Sequence, residues 1–186
     1  MQWNKHLAYE GTHAFMGASK YHWINYDEEK IVDSYYTYRA AEKGTEDHEF
    51  AALCIRRRER LERKKKTLNM YVNDAIGFRM DPEVLLFYSP NCYATTDAIS
   101  FHDNCLQIHD LKTGKTPAHM EQLVIYAALF CLEYEIAPGS LNSIELRIYQ
   151  NNDILIAHPD AMDILPVMDK IVSFDKMITR IQKSEE

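Results

Sequence analysis

Stretches in which apolar residues recur every three to four positions are interleaved along this chain with shorter ones that alternate every second position. From Glu28 to about Lys43, Ile31, Tyr35, Tyr38 and Ala41 fall at helical spacing, with Asp27 placed to cap the start. Gly44 is expected to end that helix and Thr45 to cap the next. That second helix would carry Glu46, Asp47 and Glu49 in its first turns and bury Phe50, Leu53 and Cys54 before running into a basic stretch. The helical pattern returns over Thr67 to Phe78 through Leu68, Tyr71, Val72, Ala75 and Ile76. It closes at Gly77 and an expected turn at Asp81-Pro82.

Strand-like patterning begins with Glu83 to Tyr88 (EVLLFY). Asp97 is expected to open the next strand, and Asp103-Asn104 suits a two-residue hairpin turn. From Cys105 to Lys112, Leu106 and Ile108 alternate with Gln107, His109 and Leu111. Period two puts Asp110 and Lys112 on the face of Leu106 and Ile108. Thr113-Gly114-Lys115 breaks the strand, and Thr116-Pro117 is expected to open a helix on which Gln122 and Tyr126, four apart, are neighbours. Ser143 to Tyr149 and Ile154 to His158 read as two more strands joined at residues 150–153. A helix from Asp160 to Gln182 follows, which Pro166 either kinks or starts.

These elements predict an α/β (α+β) fold, a central mixed sheet flanked by helices, within one domain spanning residues 1–186. Residues 1–18 form an N-terminal extension and 160–186 a C-terminal helix. In the extension, Trp3, His6, His13 and Phe15 are available to pack on the domain or on a second subunit.

No apolar run approaches the ~20 residues of a membrane span, and the N-terminus has no signal-peptide pattern. The expectation is a soluble cytoplasmic protein with no membrane partner. Cys54, Cys92, Cys105 and Cys131 are scattered, without a Cys-x-x-Cys pair, and read as free thiols. The total charge of −7 argues against nucleic acid until its distribution is considered. Arg56 to Lys66 holds eight basic and two acidic residues, a local +6 that leaves −13 elsewhere. Such a stripe can contact phosphates. It can equally be a solvated helix face with Glu/Arg pairs.

Candidate chemistry centres on Asp110 and Lys112. A carboxylate at the end of a buried strand is costly unless a cation or hydrogen bonds compensate it. A hard divalent cation with oxygen ligands would do so, and the adjacent lysine could offset charge developing on a phosphoryl group. Asp97, then Asp110-Leu111-Lys112 followed by Thr-Gly, then Gln122 and Tyr126 four apart, resembles the PD-(D/E)XK nucleases. The likeness is greatest to the RecB-like branch that includes phage-type exonucleases. Gly44 and His48 match that branch's Gly-x-x-x-His element, and Ser19 to Tyr26, with Trp23, is similar to its N-terminal signature. The resemblance spans roughly Ser19 to Ala157. One departure is the absence of a glycine before Asp97, where Ala94 is the smallest nearby residue.

The resemblance implies a restriction-endonuclease-like core and a metal-dependent DNA exonuclease acting at ends, in phage-type recombination or repair. It implies one or two Mg²⁺ or Mn²⁺ ions held by His48, Asp97, Asp110 and the backbone carbonyl of Leu111. Lys112, with Asp110 and Asp97, would carry the chemistry, while Gln122 and Tyr126 hold the DNA strand. Arg56, Arg57, Arg60 and Lys64 are the basic residues offered for further DNA contacts. Some relatives carry a four-cysteine iron–sulfur cluster, mostly near the C-terminus; with no cysteine after Cys131, none is expected here. DNA, a second copy of the chain and a recombination protein are the partners this likeness implies. Alternatives stay open: an isolated His48 can be structural, and Gln122 and Tyr126 can simply belong to an amphipathic helix. The whole could also be a non-catalytic DNA-binding or interaction module that retains the fold, or an enzyme acting on RNA.

Overall fold

In a computed structural model, residues 14–185 are described; Trp3, His6 and His13 lie outside them. The chain divides into two compact units, residues 1–43 and 44–186. In the first, a 3-10 helix (Ala18–Asn25) precedes the start of α1 (Glu28–Arg57). Trp23 Nε1 donates to the Gly17 carbonyl at 3.1 Å, and Phe15 packs edge-on to Tyr35 with ring centroids 5.4 Å apart.

The second unit holds the remainder of α1 together with α2 (Thr67–Gly77), β1 (Asp81–Ser89), β2 (Cys92–His102), β3 (Cys105–Leu111), α3 (Glu121–Glu133), β4 (Ser143–Gln150), β5 (Asp153–Ala157) and α4 (Ala161–Glu185). The fold is mixed α/β: one five-stranded sheet in the order β1-β2-β3-β4-β5, with helices on both faces. Neighbours are antiparallel except β3 and β4, which run parallel because α3 carries the chain back between them. Alternation along the strands supplies two cores. Leu106, Ile108, Leu146 and Ile148 meet Leu123, Ala127 and Ile164 on the α3/α4 face. Leu111, Ala98 and Tyr149 meet Ala51, Ile55, Tyr71 and Val72 on the other.

Several expected boundaries move. No break occurs at Gly44: α1 is one helix through it. A Cβ at Gly44 would stand 2.7 Å from Thr113 Oγ1, so the glycine serves a close approach rather than a stop. The stripe through Gly44 and His48 then continues to Ala51, Ala52 and Ile55, which are buried, while Phe50 and Leu53 face solvent. Asp97 lies inside β2 rather than at its start. Asp81-Pro82 opens β1 instead of forming a turn, a position that an edge strand leaves free for a residue lacking an N–H. The α3 helix begins at Glu121, so Thr116-Pro117 precedes it in a loop whose Thr116 and Gly114 carbonyls accept from Gln150. Pro166 lies inside α4 as its sixth residue, where it forgoes one backbone bond.

Candidate active site

The two-residue turn expected at Asp103-Asn104 is observed, closed by the pair His102 and Cys105. Ala98 pairs with His109 and Ile99 with Ile108, so the next position sets Asp97 opposite Asp110. Those two are not themselves a backbone pair. Asp97 turns its carboxylate to the chain end of β3, where Oδ2 accepts the Leu111 N–H at 2.8 Å. His48, one turn beyond Gly44 on α1, reaches the same carboxylate, with Nδ1 3.3 Å from Oδ1. That contact raises the imidazole pKa, against the opposing effect of its partial burial.

Asp110 is almost fully buried, 1 % exposed. Burial first, and the facing Asp97 second, raise its pKa, while the Lys112 ammonium pulls it down. Lys112 Nζ donates to Asp110 Oδ1 at 3.2 Å and stands 2.9 Å from Oδ2. It also donates to Gln122 Oε1 at 2.8 Å, and Gln122 Nε2 donates to the Tyr126 hydroxyl at 2.7 Å. A chain of contacts therefore joins β3 to α3: Asp110, Lys112, Gln122, Tyr126. The lysine backbone is fixed too, its N–H donating to the Tyr149 carbonyl at 2.9 Å. Beside Lys112 a cavity of about 190 Å³ opens among Leu68, Thr113 and Asn151. Neither that cavity nor a larger apolar one of about 480 Å³, lined by Val84, Phe101 and Tyr134, is lined by Asp97 or Asp110.

Six of the sequence-predicted residues thus come together: His48, Asp97, Asp110, Lys112, Gln122 and Tyr126, with Leu111 bonded to Asp97 through its N–H. Among the described residues, no three His, Cys, Asp or Glu side chains form a ready-made metal cage. A hard cation nevertheless fits the donor chemistry. The buried Asp110 carboxylate has the Lys112 ammonium 2.9 Å from Oδ2, and two carboxylates facing across adjacent strands repel unless positive charge intervenes.

The basic run is arranged differently from a single helical stripe, since α1 ends at Arg57. Beyond it the chain is stitched to α2: Leu61 N donates to Asn73 Oδ1 at 2.9 Å, and Asn73 Nδ2 donates back to the Leu61 carbonyl at 3.0 Å. Arg60 bonds the Asn73 carbonyl at 3.4 Å and Lys64 pairs with Glu62 at 2.7 Å. Arg56 is ion-paired with Glu83, and Arg57 is exposed.

A polar network on the opposite face of the sheet went unread in the sequence. The Tyr149 hydroxyl donates to Asp74 Oδ2 at 2.8 Å and lies 3.3 Å from His109 Nδ1. Arg147 bonds Glu145 at 2.9 Å and lies over the Phe78 ring, 4.5 Å from its centroid. The available signal was the alternation itself, which puts His109 on the face of Leu111, away from Asp110. No family model matches this chain, and no curated protein or solved structure matches it.

Proposed function

We propose that this protein is a metal-dependent deoxyribonuclease that hydrolyses DNA phosphodiester bonds, acting at DNA ends. The observation that carries the reading is the arrangement of Asp97 opposite Asp110 with the Lys112 ammonium 2.9 Å from Asp110. The burial of the Asp110 carboxylate, a charged group at the end of a core strand, adds to it. His48, Asp97, Asp110 and the Leu111 carbonyl are the groups that would hold Mg²⁺ or Mn²⁺. Such an ion, when bound, polarises a phosphoryl oxygen and lowers the pKa of water.

The protein's own groups account for the rest. In hydrolysis the water oxygen bonds to phosphorus, the P–O bond to the leaving sugar oxygen breaks, and a proton passes to that oxygen. Lys112, held between Asp110 and Gln122, orients the attacking water and offsets negative charge on the phosphoryl oxygens. Gln122 accepts from Lys112 and donates to Tyr126, so the tyrosine hydroxyl proton stays available for the bound strand.

A second reading is a DNA-binding module without catalysis. It is favoured by the way Asp97 and Lys112 are already engaged by His48, Leu111, Asp110 and Gln122. End-labelled linear duplex DNA incubated with Mg²⁺, Mn²⁺ or EDTA separates the two. Metal-dependent release of label by wild type, and not by Lys112→Ala, supports the nuclease; binding with no cleavage under any metal supports the module. Equal cleavage of covalently closed circular DNA would remove the preference for ends.

A further inference from the structure

Among the described residues, non-glycine positions with left-handed backbone fall at two kinds of place, with one exception. Asp103-Asn104 and Asn151-Asn152 form two-residue hairpin turns, and Arg58, Arg79 and Glu135 close helices. Glu83 alone lies inside a strand, with φ of 55° in β1. The flanking pairs, Pro82 with Ala98 and Val84 with Thr96, keep the same register on both sides. No residue is therefore inserted, and the conformation is not a bulge that resets pairing. A glycine would adopt this backbone without steric penalty, so the retained side chain calls for a role.

Its place in the sheet suggests one. The unbroken register sets Glu83 beside Asp97, one strand spacing of roughly 4.8 Å away. Glu83, Asp97 and Asp110 therefore lie in one row across β1, β2 and β3. Yet the Glu83 carboxylate is not left facing its acidic neighbours: it is ion-paired with Arg56. Arg56 is on α1, eight residues and about 12 Å of helix beyond His48, and its side chain is half exposed. A guanidinium has five N–H donors in a rigid fork, so one carboxylate leaves donors for a second anion.

We infer that Glu83 is a positioning residue that holds Arg56 beside the carboxylate row as a contact for a backbone phosphate of the bound nucleic-acid strand. The inference rests on the phosphodiester reading above and deepens it. It also makes sense of the ion pair: an unpaired carboxylate here would repel a polyanion, whereas the pair presents a fixed cation.

The test measures binding of a short labelled DNA duplex in EDTA, across a salt series, for wild type, Arg56→Ala, Glu83→Gly and the double variant. Arg56→Ala is expected to weaken binding several-fold and to lower the slope of log affinity against log salt by about one. Glu83→Gly removes a negative charge, yet it is expected to weaken binding as well, and the double variant to bind no worse than Arg56→Ala alone. Glu83→Gln, which keeps the side-chain length and the same backbone demand, is expected to move in the same direction. A thermal midpoint for Glu83→Gly at or above wild type confirms that the fold is intact. Unchanged or tighter binding by Glu83→Gly and Glu83→Gln, as for a carboxylate that merely repels DNA, would overturn the inference while leaving the phosphodiester reading in place. A wild-type protein that binds no duplex would overturn both.

Discussion

Asp97 and Asp110 face each other from adjacent antiparallel strands, one position beyond the Ala98–His109 pair, and Asp110 is buried. Like charges in that relationship destabilise a sheet, and burial of a carboxylate adds a desolvation cost. Both effects raise the Asp110 pKa. A sequence selected for stability alone would not keep this pair. Asp110→Asn retains the shape and removes the repulsion. Its thermal midpoint is expected to equal or exceed that of the metal-free wild type. DNA cleavage is expected to fall by ~100-fold or more, the scale of losing a preorganised charged group. A parallel loss of stability and cleavage would make Asp110 a structural residue.

Lys112 is the counterpart of that repulsion. Its ammonium lies 2.9 Å from Asp110 and 2.8 Å from Gln122, and truncating it leaves a buried carboxylate without its cation. Lys112→Ala is therefore expected to lower stability by about 1–3 kcal/mol as well as abolish cleavage. Combining it with Asp110→Asn should return most of the stability, because the uncompensated charge is gone, and none of the activity. Chemical denaturation of the two single variants and the double variant measures this coupling.

The contact between Gly44 and Thr113 tests whether α1 must approach the end of β3 closely. A Cβ at Gly44 meets Thr113 Oγ1 at 2.7 Å, yet alanine is intrinsically the better helix residue by about 1 kcal/mol. In Gly44→Ala the two effects oppose each other. In a Thr113→Ala background only the helix preference remains. The expected outcome is reduced cleavage for Gly44→Ala with little change in stability, and stability above wild type with restored cleavage for Gly44→Ala/Thr113→Ala. If Gly44→Ala cleaves like wild type, the distance between His48 and Asp97 does not depend on this approach.

The legible parts of this molecule were those set by local period. Alternation from Cys105 to Leu111 assigned Asp110 and Lys112 to one face, and the Asp103-Asn104 turn fixed the register that sets Asp97 opposite Asp110. Helix phase was harder. Phe50 and Leu53 read as core because they are apolar, but α1 turns inward the stripe whose Ala51 and Ile55 join the cluster of Tyr71, Leu111 and Tyr149 and whose Gly44 admits Thr113. The role of Gly44 was misread for the same reason: a glycine that ends a helix and one that admits a neighbour look alike in one dimension. Glu83 was invisible, since nothing local announces a left-handed residue within a strand. The network of Tyr149, Asp74 and His109 joins positions up to 75 apart, which no local pattern connects.

His109 makes a prediction about pH that is independent of catalysis. Its ring is fully buried, and burial first, then the nearby Arg147 charge, lower its pKa from 6.5 to about 3. The Tyr149 hydroxyl has one proton and gives it to Asp74, so Nδ1 of His109 is the donor to the tyrosine oxygen, on the logic of the hydrogen-bond network. Nε2 is then a bare acceptor, consistent with its having no partner. Protonation would bury an unpaired charge beside Arg147. The native state therefore binds this proton less readily than the unfolded chain does. The stabilisation is complete above pH 6.5 and is lost as pH falls toward 3. Between pH 6.5 and 5 most carboxylates stay ionised, and His48 and Asp110, whose raised pKa values act in the opposite sense, are unchanged in a His109 variant, so the difference between the two proteins isolates this histidine. Wild-type stability is expected to fall as pH drops through that window, by up to about 1.4 kcal/mol per unit for a single proton. His109→Gln, whatever its absolute stability, should show a shallower dependence. Urea denaturation at several pH values reads the slope directly, and an equal slope in the two proteins would mean that His109 accepts a proton in the folded state.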